Sequence, residues 1–209
     1  NPFHVDLKKM TKGDYLLQNF AMFIPLTETE NAFDTAMDMI DFYYEELSRY
    51  QDMIRPVYTF EDIVDNQANG RMSALLTIEE GEAVRGNLSY LRDFYRLGVR
   101  MIGLTWNFEN QIGCPNLQMK NGEPLMEVRT EKGLTSFGIE MIQEMERLGM
   151  IIDVSHLSDG GFWDVIKYTR QPFVASHSNA ASRHNVSRNL TDHMLKALGE
   201  RGGVCGLNY

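Results

Sequence analysis

Three residues able to hold a metal ion each follow an apolar run: Glu79 after ALLTI, His156 after MIIDVS and His177 after FVAS. Two imidazoles and one carboxylate are a common ligand set for zinc and similar divalent ions, and they leave a coordination position for water. Taken singly, each histidine is as readily a hydrogen-bonded strand-end residue, and Glu79 a neighbour of a helix N-cap. That all three close apolar strands of one sheet favours the metal reading. Period-two alternation places Ile152, Val154 and His156 on one face, and likewise Phe173, Ala175 and His177.

Such residues need a scaffold that brings distant strand ends together. Short β-rich runs alternate with helical patterns, which predicts an α/β architecture with a largely parallel sheet. Strands are expected at 19–24, 72–78, 99–106, 150–154 and 173–176, and in the closing VCGLNY. Helices are expected at about 28–50, 60–67, 88–97, 136–148, 160–168 and 192–198. Residues 107–133 are polar, contain Gly and Pro and keep no period; a loop of that length is usually functional or a lid. In a (β/α)8 barrel, catalytic groups converge from the C-terminal ends of the strands, and the fold typically takes about 250 residues. The 209 residues therefore read as one TIM-barrel-like domain, 1–209, with about six of eight strands present and the first and last missing.

Composition narrows the function. Hydrophobic residues make up 43% and charged residues 23%, a balance that excludes a disordered or fibrous chain. A net charge of −9 argues against a nucleic-acid or anionic-membrane partner. No stretch approaches the roughly 20 apolar residues that span a bilayer, and the N-terminal residues lack a signal-peptide pattern. Cys114 and Cys205 are too few for a disulfide framework, and a cytoplasmic location is expected. The aromatic stripe in DMIDFYYEELSRY reads as core with a share in a possible homodimer face.

The motifs LTIEEGEAV, LRDFYRLGVRMIGLTWN, GLTSFGIEMIQEMERLGMIIDVSHLS and PFVASHSNAASRHNVSRNL, in that order, resemble the membrane (renal) dipeptidase family, zinc dipeptidases of the amidohydrolase-like metal-dependent barrels. HVDLKKMTKGDYLLQNFAMFIPL is similar to the family's second-strand region, so the likeness covers essentially the whole chain. The resemblance implies a metallopeptidase that hydrolyses dipeptides with a metal-bound hydroxide at a binuclear zinc centre. It implies that Glu79 is the catalytic carboxylate bridging two Zn2+ ions and that His156 and His177 complete one metal site. It further implies that Arg188, in NVSRN, holds the dipeptide's free carboxylate, a task suited to a planar fork of donors.

Departures from the family pattern matter as much. His4-Val5-Asp6 mimics the family's other metal pair, but it follows no apolar strand and is read as loop; the pair is expected before residue 1. The family's catalytic aspartate falls beyond Tyr209. Trp106 stands where vertebrate members carry a substrate-contacting histidine, and as a substrate-binding residue it can only stack or donate its indole N–H. His184 and His193 read as solvated, Cys114 as inert, Cys205 as core, Glu82 as a residue of the mouth, and Asp153 as a buried residue supporting the site. Two other functions stay open: another amidohydrolase acting on cyclic amides or lactones, and a non-catalytic or truncated barrel with at most one metal.

Overall fold

The fold is that of a computed structural model, which describes residues 4–120, 123–125 and 129–208. Helix α1 (Leu7–Lys12) leads into β1 (Leu17–Phe23), a 3-10 turn (Leu26–Asn31), α2 (Ala32–Ser48), β2 (Ile54–Pro56) and α3 (Phe60–Ala68). Next come β3 (Met72–Glu79), a second 3-10 turn (Gly81–Val84), α4 (Leu88–Arg96) and β4 (Met101–Gly103). A small antiparallel pair, β5 (Gln118–Lys120) and β6 (Glu123–Leu125), precedes α5 (Ser136–Leu148) and β7 (Ile151–Asp153). The chain continues through α6 (Asp159–Tyr168), β8 (Val174–Ala175), α7 (Asp192–Glu200) and β9 (Val204–Cys205).

Six strands pair in parallel in the order β1-β3-β4-β7-β8-β9, and the sheet curls as half of a TIM-barrel-like wall. β2 pairs with the first residues of β3, Ile54 opposite Met72. Strand β3 reads MSALLTIE, nearly continuously apolar, because it is buried on both faces, as parallel strands under helices are. Helix α2 buries Ala32, Ala36, Ile40, Tyr43 and Leu47, a stripe at three- and four-residue spacing. Phe94 of α4, Phe162 of α6 and Phe173 are fully enclosed in the same core. Ser and Thr side chains fix where helices begin: Thr59, Thr135, Ser158 and Thr191 each accept a backbone N–H of the first turn. Among the described residues no helix is long and apolar enough to cross a membrane.

The expected strands and helices form, with five differences. The strand expected at 99–106 is confined to Met101–Gly103, so Trp106 lies in the loop after it. The long first helix starts at Ala32 rather than 28, because Asn31 leaves helical geometry (φ −111°, ψ 21°) after a 3-10 turn. The 107–133 segment contains the β5–β6 pair; its residues 121–122 and 126–128, like Tyr209 of the closing strand, lie outside the described residues. Helix α1, mostly polar in sequence, and strand β2, three residues long, are additional elements, with Met10 and Ile54 as their buried residues. Finally, β7 ends at Asp153 and β8 at Ala175, so both histidines sit in turns past their strands. The alternation that was to face His156 with Val154 stops short of it: His156 has φ 70°, and the turn sets its direction.

Candidate metal centre

Glu79 is the last residue of β3 and pairs with Gly103, the last of β4. The chain then turns sharply. Glu80 adopts φ 98°, and Gly81 lies so close to the Leu104 carbonyl and Ile112 that a Cβ there would overlap both. The buried Glu80 carboxylate accepts from the backbone N–H of Glu82 (2.9 Å) and Trp106 (2.7 Å) and from the Asn110 side-chain amide. It ties the turn after β3 to the loop after β4. Burial pushes Glu80 up to about 7, against these N–H donors, which favour its charged form.

The turns after β7 and β8 are gathered by one buried carboxylate. Asp153 Oδ1 accepts the backbone N–H of both Ser155 (3.0 Å) and Ser176 (2.9 Å), and Oδ2 accepts the Ser176 hydroxyl. Ser155 Oγ accepts the His177 N–H at 3.1 Å. The result is that His156 Nε2 and His177 Nε2 lie 3.0 Å apart, each 3.5 Å from Glu79 Oε1. Among the described residues, these three form the group of His, Cys, Asp and Glu side chains close enough to share a metal ion.

The outer ring nitrogens decide what the inner ones offer. His156 Nδ1 faces Asn107 Oδ1 at 2.8 Å, an acceptor, so this nitrogen carries the hydrogen. Ser176 Oγ gives its hydrogen to Asp153 and therefore accepts from His177 Nδ1 at 2.8 Å. Both Nε2 lone pairs then point inward, beside a carboxylate oxygen. Three acceptors aimed at one point need a positive charge between them, a proton or a metal ion, and the donor set suits a divalent metal. Burial works against charge on Glu79, yet a proton on either Nε2 would be donated towards it and carry positive charge beside it, and this holds its carboxyl down at about 2. Burial lowers His156 to about 4, with the Arg188 charge adding to it and Glu79 opposing. A neutral imidazole beside a charged carboxylate is the pair of protonation states that metal binding requires.

Arg188 comes to the same place from the loop after β8. It donates from Nη1 to Ser178 Oγ (2.8 Å) and from Nη2 to the His177 carbonyl (2.6 Å). Burial lowers it to about 10, offset by the charges of Asp153 and Glu79. The Trp106 ring stands edge-on to Phe23, centroids 4.9 Å apart, and 6.2 Å from the His156 ring. The structure thus brings together Glu79, His156, His177, Arg188 and Trp106. His4 is exposed, and Asp6 caps α1 through Lys9 N at the opposite end of the strands. His184 and His193 are exposed, and burial raises the Cys114 thiol. Asn107, Ser176 and Glu80 escape the sequence reading, although each directly adjoins a residue singled out there.

A family model described as membrane dipeptidase (peptidase family M19) matches residues 1–209. An uncharacterised dipeptidase of Schizosaccharomyces pombe is 33% identical over 99% of this chain, and an uncharacterised protein of Acinetobacter calcoaceticus is 31% identical over 99%. The chain spans 51% of the first and 70% of the second. Among solved structures, the metallopeptidase dipeptidase AC of family M19 superposes with TM-score 0.89 at 28% identity, over 99% of this chain and 63% of that one. A metallopeptidase of Rhodobacter sphaeroides, liganded with a phosphinate mimic of the dipeptide L-Ala-D-Ala, gives 0.90 at 26% identity, over 100% and 66%.

Proposed function

Because this chain belongs to the membrane dipeptidase family, we propose that it carries the metal-holding and substrate-gripping residues of a zinc dipeptidase. The observation that carries the reading is the convergence of Glu79, His156 and His177 with both outer ring nitrogens already engaged. Glu79 would be the carboxylate shared between two zinc ions, and His156 and His177 would complete one of the two sites. Zinc bound there supplies polarisation of the scissile carbonyl and a water acidic enough to attack it near neutral pH.

The chain's own residues supply position. Arg188 grips the free C-terminal carboxylate of the substrate, and its anchorage on the His177 carbonyl ties that grip to the backbone of a ligand itself. A grip so close to the cluster leaves room for one residue between the held carboxylate and the scissile bond, so the C-terminal residue is the one released. Trp106 and Phe23 form an aromatic wall beside His156 against which a substrate side chain stacks. Dipeptides with a C-terminal D-residue are the first substrates to try, given the ligand of the Rhodobacter sphaeroides protein.

The test is metal content by elemental mass spectrometry together with dipeptide hydrolysis, on the protein and on His177→Ala. Bound zinc that falls in the variant along with hydrolysis is the expected result. Equal metal content in both proteins, or hydrolysis that survives in the variant, overturns the assignment.

A further inference from the structure

The loop that carries Arg188 has little regular structure, yet three of the four carbonyls at 186–189 are held from one side. Arg129 Nη2 donates to the carbonyls of Asn189 (2.8 Å) and Val186 (3.3 Å). Asn116 Nδ2 donates to the carbonyl of Ser187 at 3.0 Å. Both holding residues come from the long segment between β4 and α5, and both are fixed in turn by Asp159 at the start of α6. Arg129 Nη1 lies 3.0 Å and 3.4 Å from the two Asp159 oxygens, and Asn116 Nδ2 lies 2.6 Å from Oδ1. Asn116 Oδ1 accepts the N–H groups of Thr130 (3.0 Å) and Asp159 (3.1 Å), so every hydrogen-bonding site of that side-chain amide is used. Asn116 and Asp159 are buried, and the Arg129 side chain is 25% exposed. Gly160 lets the backbone at 131–132 lie directly on the first turn of α6, where a Cβ would overlap it.

A charged fork spending one nitrogen on a carboxylate and the other on two carbonyls that flank Ser187 and Arg188 is a costly way to tie down a surface loop. Resting on the reading of Arg188 given above, we infer that Arg129 is a positioning residue for the substrate-gripping arginine. Through Asn116 and Asp159 it fixes the backbone on both sides of Arg188, so that the guanidinium is aimed before substrate arrives and no ordering is left for the binding step.

The experiment compares a free dipeptide with its C-terminal amide. Arg129→Ala raises KM for the free dipeptide about tenfold, leaves kcat within about twofold, and leaves the amide unaffected. Arg129→Lys keeps the charge but cannot span the carboxylate and both carbonyls, and it gives the same pattern at smaller size. Arg188→Ala abolishes the preference for the free acid, and adding Arg129→Ala to it changes that preference no further. Equal losses on both substrates, a fall in kcat rather than a rise in KM, or a lysine variant that behaves as wild type would each overturn the role. Should Arg129→Ala fail to fold, the lysine variant decides alone. If Arg188→Ala itself leaves the preference intact, the reading of Arg188 fails, and that outcome differs from failure at Arg129 with Arg188 sustained.

Discussion

The two halves of the site are built by opposite means. The Glu79–His156–His177 cluster sits within three residues of the ends of β3, β7 and β8, where a hydrogen-bonded sheet fixes each starting point. Short turns complete it, held by Asp153 and by bonds to adjoining residues. Arg188 stands eleven positions beyond His177 in a loop, and its direction depends on a charged network reaching in from Arg129 and Asp159. A sheet fixes the starting point, so hydrogen bonds to adjoining residues suffice to complete the placement. A loop can place a side chain only where buried donors and acceptors replace the missing ladder.

That contrast can be broken experimentally, and the largest effect is expected on the sheet side. Glu79→Gln removes the charge that the two imidazoles face, and kcat/KM should fall by about 10³-fold with loss of bound metal, read by kinetics and elemental analysis. On the loop side, Arg188→Ala should raise KM for free dipeptides about 10²-fold while metal content stays constant. A fall in metal content there would erase the distinction between the two halves.

Next in size, Ser176→Ala and Asn107→Ala free the outer nitrogen of one imidazole each. Metal affinity measured with a chromophoric chelator should weaken about 10-fold or more in either variant. Unchanged affinity would mean that the turns alone orient the rings. Acid titration sharpens the same side. His156 is held at about 4 in the fold against 6.5 in the unfolded chain, so between these values the unfolded state binds the proton and the folded state does not. The metal-free protein should lose stability as pH falls from about 6.5 to about 4, by urea denaturation, and Glu79 adds a further loss below about 4.5. Glu80 has the opposite sign, losing stability as pH rises from 4.5 towards 7. His156→Asn keeps a residue tolerant of φ 70° and should flatten the upper part of the acid loss. At the small end, Lys196→Ala removes an exposed ion pair with Glu200 and should move stability by less than about 0.5 kcal/mol in thermal denaturation.

What could be read from sequence follows the same division. Helix 136–148 is predicted to the residue because Thr135 caps its start and Gly149 turns left-handed at its end, both local signals. The three cluster residues are legible because each prolongs an apolar run. The left-handed turns at Glu80 and His156 are not, since neither residue type announces a positive φ. Nor is Arg129: its segment has no period, and its partner Asp159 lies 30 positions away and acts through atoms of a third region. Contacts between irregular segments have no periodic signature, so sequence patterning finds the sheet half of the site and misses what steadies the other half.

The register of the sheet also bears on how the site comes to exist in time. Thr77 pairs with Met101, and Asp153 with Val174, each pair joined by one helix and its turns. Met101 pairs with Ile151 only after a detour of roughly fifty residues through the long loop and α5, so that closure carries the larger chain-entropy cost. Glu79 belongs to the first local unit and both histidines to the second. Pulse-labelled hydrogen exchange should therefore show β3–β4 and β7–β8 amides protected before those linking β4 to β7; a single common phase would refute that order. A cation bound between Glu79 and the histidines then clasps two separately nucleated units, and its removal should speed unfolding where the detour closes.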